Sequence, residues 1–66
     1  MLIYVELEGK RLELTLPDGA KLADLYKAAK INREVYLAAR RGRLLPDEAK
    51  LADGDEIKMI RVVSGG

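Results

Sequence analysis

Asp53-Gly54-Asp55-Glu56-Ile57-Lys58-Met59-Ile60-Arg61-Val62-Val63-Ser64-Gly65-Gly66 is the stretch on which the fold turns. Asp53-Gly54-Asp55 is turn chemistry, because Gly reaches positive φ freely and Asp side chains bond the local backbone. Glu56 to Val63 is rich in β-branched and other apolar residues, which predicts a strand. Successive side chains on a strand point to opposite faces. If Ile57 and Met59 face a core, Ile60 faces away from it.

Working back from this strand, the other elements can be placed around it. Met1 to Glu8 alternates, with Ile3, Val5 and Leu7 on one face. Arg11 to Leu16 alternates again, with Leu12, Leu14 and Leu16 on one face. Gly9 stands between the two runs, so they read as a β-hairpin. Pro17-Asp18-Gly19 stops it. From Lys21 to Lys30 the period changes, and Leu22, Leu25, Tyr26 and Ala29 make one helical stripe. Asp24 near its start and Lys27 and Lys30 near its end suit the helix dipole.

Val35 to Ala39 reads as a short third strand, and Arg40-Arg41-Gly42 as a turn. Arg43 to Leu45 adds a brief strand before Pro46. Asp47 to Lys50 is expected to form one helical turn capped by Asp47. The hairpin and the final strand must share a sheet, with the single helix on one face. On the first strand, Leu2 and Tyr4 then face away from the helix, as Ile60 does. A sheet covered on one face ordinarily shows polar residues on the other. Leu2, Tyr4, Ile60 and Val62 are therefore expected to form a partner surface.

Composition narrows the function. The chain has 66 residues, enough for one domain with one modest core. Hydrophobic residues make up 48% and charged residues 35%, which fits a folded soluble domain. Net charge is +1, too balanced to argue for nucleic acid or a membrane surface. No apolar run approaches the ~20 residues that span a bilayer. No signal-peptide pattern is present, and a cytoplasmic protein is expected. Cysteine and histidine are absent, which removes thiol chemistry, the usual general base and the commonest metal ligand. Asn32 is the only Asn, Gln is absent, and Lys, Arg and Glu abound, as in thermophilic proteins.

The Asp53-Gly54-Asp55-Glu56-Ile57 block, the strand after it and the Ser64-Gly65-Gly66 ending resemble the ThiS/MoaD sulfur-carrier family. The opening hairpin, the Leu22-Leu25-Tyr26 helix and Leu44-Leu45-Pro46 match as well. The similarity covers essentially the whole chain. The Arg61-Val62-Val63-Ser64-Gly65-Gly66 ending is also similar to that of archaeal ubiquitin-like modifiers. One departure is visible. The helix start in that family usually carries a Ser or Thr cap, and here Ala20 and Lys21 stand there.

The resemblance implies an α+β, ubiquitin-like β-grasp fold over residues 1–61, a mixed sheet with one main helix packed on one face. It implies a flexible tail over 62–66. It also implies that the chain is no enzyme. A ThiF/MoeB-type adenylating enzyme would activate the Gly66 carboxylate with ATP. The acyl-adenylate would become a thiocarboxylate, which passes sulfur to a downstream acceptor enzyme in thiamine, molybdopterin or tRNA thiolation. In the modifier branch Gly66 is joined to a lysine instead. The chain itself would bind no cofactor, since ATP and the sulfur donor belong to the partner.

The residue types suit such a role. Gly65 and Gly66 lack side chains, so the backbone can thread a narrow channel, and no Cβ shields the Gly66 carbonyl. Val63 and Ser64 would thread with them. Ser64 has no His to activate it as a nucleophile. Arg40, Arg41 and Arg43 read mainly as a solvated turn, with docking of an acidic partner surface or contact with RNA as the alternative. Asp53, Asp55 and Glu56 are too closely spaced for a calcium loop, whose ligands spread over about twelve residues. A third possibility, of a different class, is a non-covalent interaction module that uses the Leu2, Tyr4 and Ile60 face.

Overall fold

The computed structural model describes residues 1–62. β1 (Leu2–Leu7) and β2 (Lys10–Thr15) form the expected hairpin, and α1 (Leu22–Ala29) follows. β3 (Tyr36–Arg40), β4 (Arg43–Leu44) and β5 (Glu56–Arg61) complete one five-stranded sheet in the order β2-β1-β5-β3-β4. β5 lies at its centre, parallel to β1 and antiparallel to β3. A parallel pair cannot be joined by a tight turn. β2, the helix and the β3–β4 hairpin all lie in the connection between β1 and β5.

The apolar stripes meet as their periods require. Ile3, Val5, Leu22, Leu25 and Ile57 are almost fully buried, and Tyr26, Leu51 and Met59 close around them. Leu25→Ala is expected to cost about 2–5 kcal/mol, a large share of the stability of so small a domain. No helix among the described residues is long and apolar enough to cross a membrane.

The helix starts without a Ser or Thr cap because its backbone donors are satisfied from elsewhere. Lys21 stands at the N-cap, and lysine offers no acceptor. Its own N–H donates to Asp24 Oδ2 at 2.9 Å. The N–H groups of Leu22 and Ala23 donate to the carbonyls of Ala49 (2.9 Å) and Asp47 (3.1 Å). That overturns the helical turn expected at Asp47 to Lys50. The segment is a plain turn, with Ala49 N–H on Pro46 O at 3.0 Å and Lys50 in an isolated bridge to Lys21. Its carbonyls point at α1 and are not free for a helix of its own. The Asp47 carboxylate pairs with Arg33 and caps nothing.

Asp53-Gly54-Asp55 is the turn the sequence predicts, and each residue has a partner. Asp53 Oδ1 accepts from Leu2 N–H at 2.7 Å. Gly54, at φ 84°, donates to Leu2 O at 2.7 Å. Asp55 Oδ2 accepts from Arg40 (2.7 Å) and from Ala52 N–H (2.8 Å). The turn therefore fastens the start of β1 to the start of β5, and no group of acidic residues that could hold a metal ion occurs among the described residues.

Candidate functional site

The candidate site is the face of the sheet opposite α1, together with the end of β5. Pleating puts Ile57 and Met59 in the core and Lys58 and Ile60 on the open face. Ile60 is 40% exposed on the central strand, where a polar residue would be ordinary. Its antiparallel partner is Leu37, 39% exposed, and Leu44 beside Ala39 is 60% exposed. These three are the large exposed hydrophobic residues among those described. They lie on three adjacent strands of one face.

Leu2 and Tyr4 are on this face as well, but the parallel register sets them apart from Ile60. Tyr4 pairs with Glu56. Ile60 lies four residues further along β5, about 13 Å away at the rise of a strand. Between them run charged side chains. Glu6 and Lys58 sit opposite one another, 3.9 Å apart at their charged ends. Arg11 meets Glu56 at 3.0 Å and lies 4.5 Å over the Tyr4 ring. The face has two halves: a polar one with these two ion pairs, containing Tyr4, and an apolar one, containing Leu37, Ile60 and Leu44. A groove between Tyr4, Arg11, Glu56 and Lys58 encloses about 250 Å³. That is below the usual ~300–1,000 Å³ of small-molecule sites.

Sequence reasoning missed Leu37 and Leu44. Val35-Tyr36-Leu37-Ala38-Ala39 is apolar at every position, so no alternation reveals which residue faces out. Leu44 stands on a strand of two residues, too short to show a period.

The end of β5 is tied down. Val62, expected in the tail, donates its N–H to Val35 O at 2.7 Å. Arg61 reaches Glu8 Oε1 at 3.3 Å, and the Tyr36 hydroxyl donates to the same oxygen at 2.9 Å. That hydrogen bond, aided by some burial, raises the Tyr36 pKa above its ordinary 10.0. Of the residues expected to carry the chemistry, Val63, Ser64, Gly65 and Gly66 lie outside the described residues.

Of the arginine cluster, Arg40 is structural. It bonds Asp55 and also Lys50 O at 3.3 Å. Arg41 and Arg43 are exposed and make no ion pair among the described residues.

The model of the ThiS family matches residues 3–66. The crystal structure of SAMP1 from Haloferax volcanii shares the fold with a TM-score of 0.77 at 16% identity, over 100% of both chains. The Caldiarchaeum subterraneum ubiquitin superposes with a TM-score of 0.74 at 24% identity, over 100% of this chain and 98% of that one. The mixed sheet with one helix is thus the ubiquitin-like β-grasp that the sequence predicts.

Proposed function

The chain belongs to the ThiS family, and on that premise we propose that it is a sulfur carrier whose Gly66 carboxylate is the reacting group. The observation that carries this reading is the family match running through to residue 66, over the Gly65-Gly66 ending. In the first step a ThiF/MoeB-type activating enzyme brings ATP to the carboxylate. A carboxylate oxygen attacks the α-phosphorus, the bond to the bridging oxygen breaks, and pyrophosphate leaves. The product is an acyl-adenylate, an electrophile where the free carboxylate was none. Attack by hydrosulfide expels AMP and leaves a thiocarboxylate. Where the nucleophile is a persulfide of the donor, the product is an acyl disulfide, and a second thiol attacks the donor's sulfur, releasing the thiocarboxylate and forming a disulfide on the donor. ATP, catalytic groups and the sulfur donor belong to the partners, and the chain acts as substrate rather than enzyme.

The chain's own part is to dock and to present. Leu37, Ile60 and Leu44, with Val62 at the edge, offer an apolar surface whose burial would supply docking energy at about 25 cal/mol per Å² of apolar area. The tail then reaches into the partner. A second reading is favoured by the likeness to an archaeal ubiquitin: a lysine amine attacks the same acyl-adenylate, or a thioester made from it, and an isopeptide through Gly66 results. Both readings share the adenylate.

Intact mass spectrometry tests them. The purified chain is incubated with the activating enzyme of its host, ATP and a sulfur donor. Replacement of one oxygen by sulfur at Gly66 supports the carrier reading. Host lysines carrying the Gly65-Gly66 remnant support the modifier reading. A chain that is never adenylated would sink both and leave the non-covalent interaction module as the better account.

A further inference from the structure

The β1–β2 turn contains a residue poorly suited to it. Leu7 pairs with Lys10, so Glu8 and Gly9 are the whole loop. Both have positive φ, 48° and 79°, the pattern of a type I′ hairpin turn. Asn, Asp or Gly is preferred at the first of these positions, and a long side chain there is disfavoured. The Glu8 carboxylate has an evident use. Oε1 accepts from the Tyr36 hydroxyl at 2.9 Å and from Arg61 at 3.3 Å. One oxygen thus joins the β1–β2 turn, the first residue of β3 and the last residue of β5. All three strands bring these ends together where the chain leaves the sheet. The same loop pattern recurs at Arg41-Gly42, φ 54° and 78°, without any ion pair for Arg41 among the described residues.

We propose that Glu8 is a positioning residue for activation of the C-terminus: its clasp on Tyr36 and Arg61 holds the end of β5, so that residues 63–66 continue from one fixed point. This rests on the reading of Gly66 as the reacting group. Four residues reach at most about 14 Å fully extended. A shift of a few ångströms at their root is therefore a sizeable part of their reach. If Arg61 and Val62 come away from β3, the last fixed residue before Gly66 moves back by two positions. The partner must then order two more residues whenever it engages the chain. That loss falls on binding, so it raises KM and leaves kcat nearly unchanged. Glu8 and Arg61 are both more than half exposed. Exposed ion pairs contribute modestly, so the expected effect is about threefold to tenfold.

The test compares Glu8→Asn, Glu8→Gln and, as a control for turn strain, Arg41→Asn. Asn suits the first position of either turn, so both Asn variants are expected to unfold at temperatures equal to or above that of the parent. Amide exchange of the full-length chain alone reads the clasp. Val62 is expected to exchange about threefold to tenfold faster in Glu8→Asn, with Met59 unchanged. Pyrophosphate exchange with the host's activating enzyme and ATP reads the consequence. KM is expected to rise by a similar factor, with Glu8→Gln intermediate because its amide oxygen still accepts both hydrogen bonds. Unchanged Val62 exchange overturns the proposal, as does a loosened Val62 with unaltered KM. A Glu8→Asn chain that is itself less stable than the parent also overturns it, since Glu8 would then be simply structural. If the parent is not activated at all, the reading of Gly66 fails and takes this proposal with it. The exchange data would still report whether the clasp exists.

Discussion

At the scale of single residues, this chain meets its polar obligations with few specialised side chains. Arg40 and Asp55 illustrate it. Their side chains are 30% and 18% exposed, and they also bind Lys50 O and Ala52 N–H. Removing the guanidinium leaves the partly buried Asp55 carboxylate with Ala52 N–H as its remaining partner and takes the Arg40 donor from the Lys50 carbonyl. Arg40→Ala is expected to cost about 1–3 kcal/mol in urea unfolding, whereas Arg41→Ala, which loses no such contacts, should stay within about 0.5 kcal/mol. Two tyrosines make a pH prediction. Burial raises the pKa of Tyr26, with Arg33 partly opposing, and the hydrogen bond to Glu8 raises that of Tyr36. Both shifts favour the neutral phenol in the folded chain. Their contribution to stability is complete below pH 10, the ordinary value, and is lost as pH rises through the higher folded values. Resistance to thermal unfolding should therefore weaken above pH 10, and less so in Tyr26→Phe. Ultraviolet titration of the phenols at or below their ordinary value in the folded chain would contradict this.

At the scale of elements, the hairpin, the helix and β5 were legible because each carries a clear period. Leu12-Leu14-Leu16 and Leu22-Leu25-Tyr26 tell a reader both the element and its buried face. What was not legible depends on long-range partners. No local signal says that the carbonyls of Asp47 and Ala49 will cap α1, whose donors Ala23 and Leu22 stand 24 and 27 residues earlier in the chain. Tertiary contact replaces the missing Ser or Thr, and the expected helical turn is lost in consequence. Likewise, Leu37 becomes an outward residue only because Ala38 pairs with Met59 on the core face. The far end of α1 makes a further prediction. Lys30 closes it in the left-handed conformation, φ 55°, with Ile31 N–H on Tyr26 O at 3.0 Å. Glycine is the usual residue there. Lys30→Gly is expected to stabilise by about 0.5–1 kcal/mol, read as a higher midpoint in urea at unchanged slope. A lower midpoint would mean that the lysine side chain contributes contacts beyond its backbone.

At the scale of the whole molecule, the proposed docking face and the proposed reacting group lie on different parts of the chain. The apolar half of the open face is built on β3, β4 and β5, and β5 leads directly to residues 63–66. A core of Ile3, Val5, Leu22, Leu25 and Ile57 underlies that face, built from the hairpin, the helix and β5. Removing Gly65 and Gly66 should therefore leave the thermal midpoint unchanged while abolishing the adenylate. The more telling consequence is competition. If docking energy comes from the face, the shortened chain still binds the activating enzyme. It should inhibit adenylation of the parent with an inhibition constant within about threefold of the parent's KM. Adding Ile60→Glu to the shortened chain puts a charge into the apolar half, where an unpaired buried charge costs several kcal/mol. Ile60 is exposed in the free chain, so this variant should fold as before and yet inhibit at least about tenfold less. Both measurements need only the pyrophosphate exchange rate of the parent with rising competitor. Failure of the shortened chain to inhibit would place the binding energy in the tail. Inhibition that survives Ile60→Glu would move the docking surface away from Leu37, Ile60 and Leu44, toward the polar half around Tyr4.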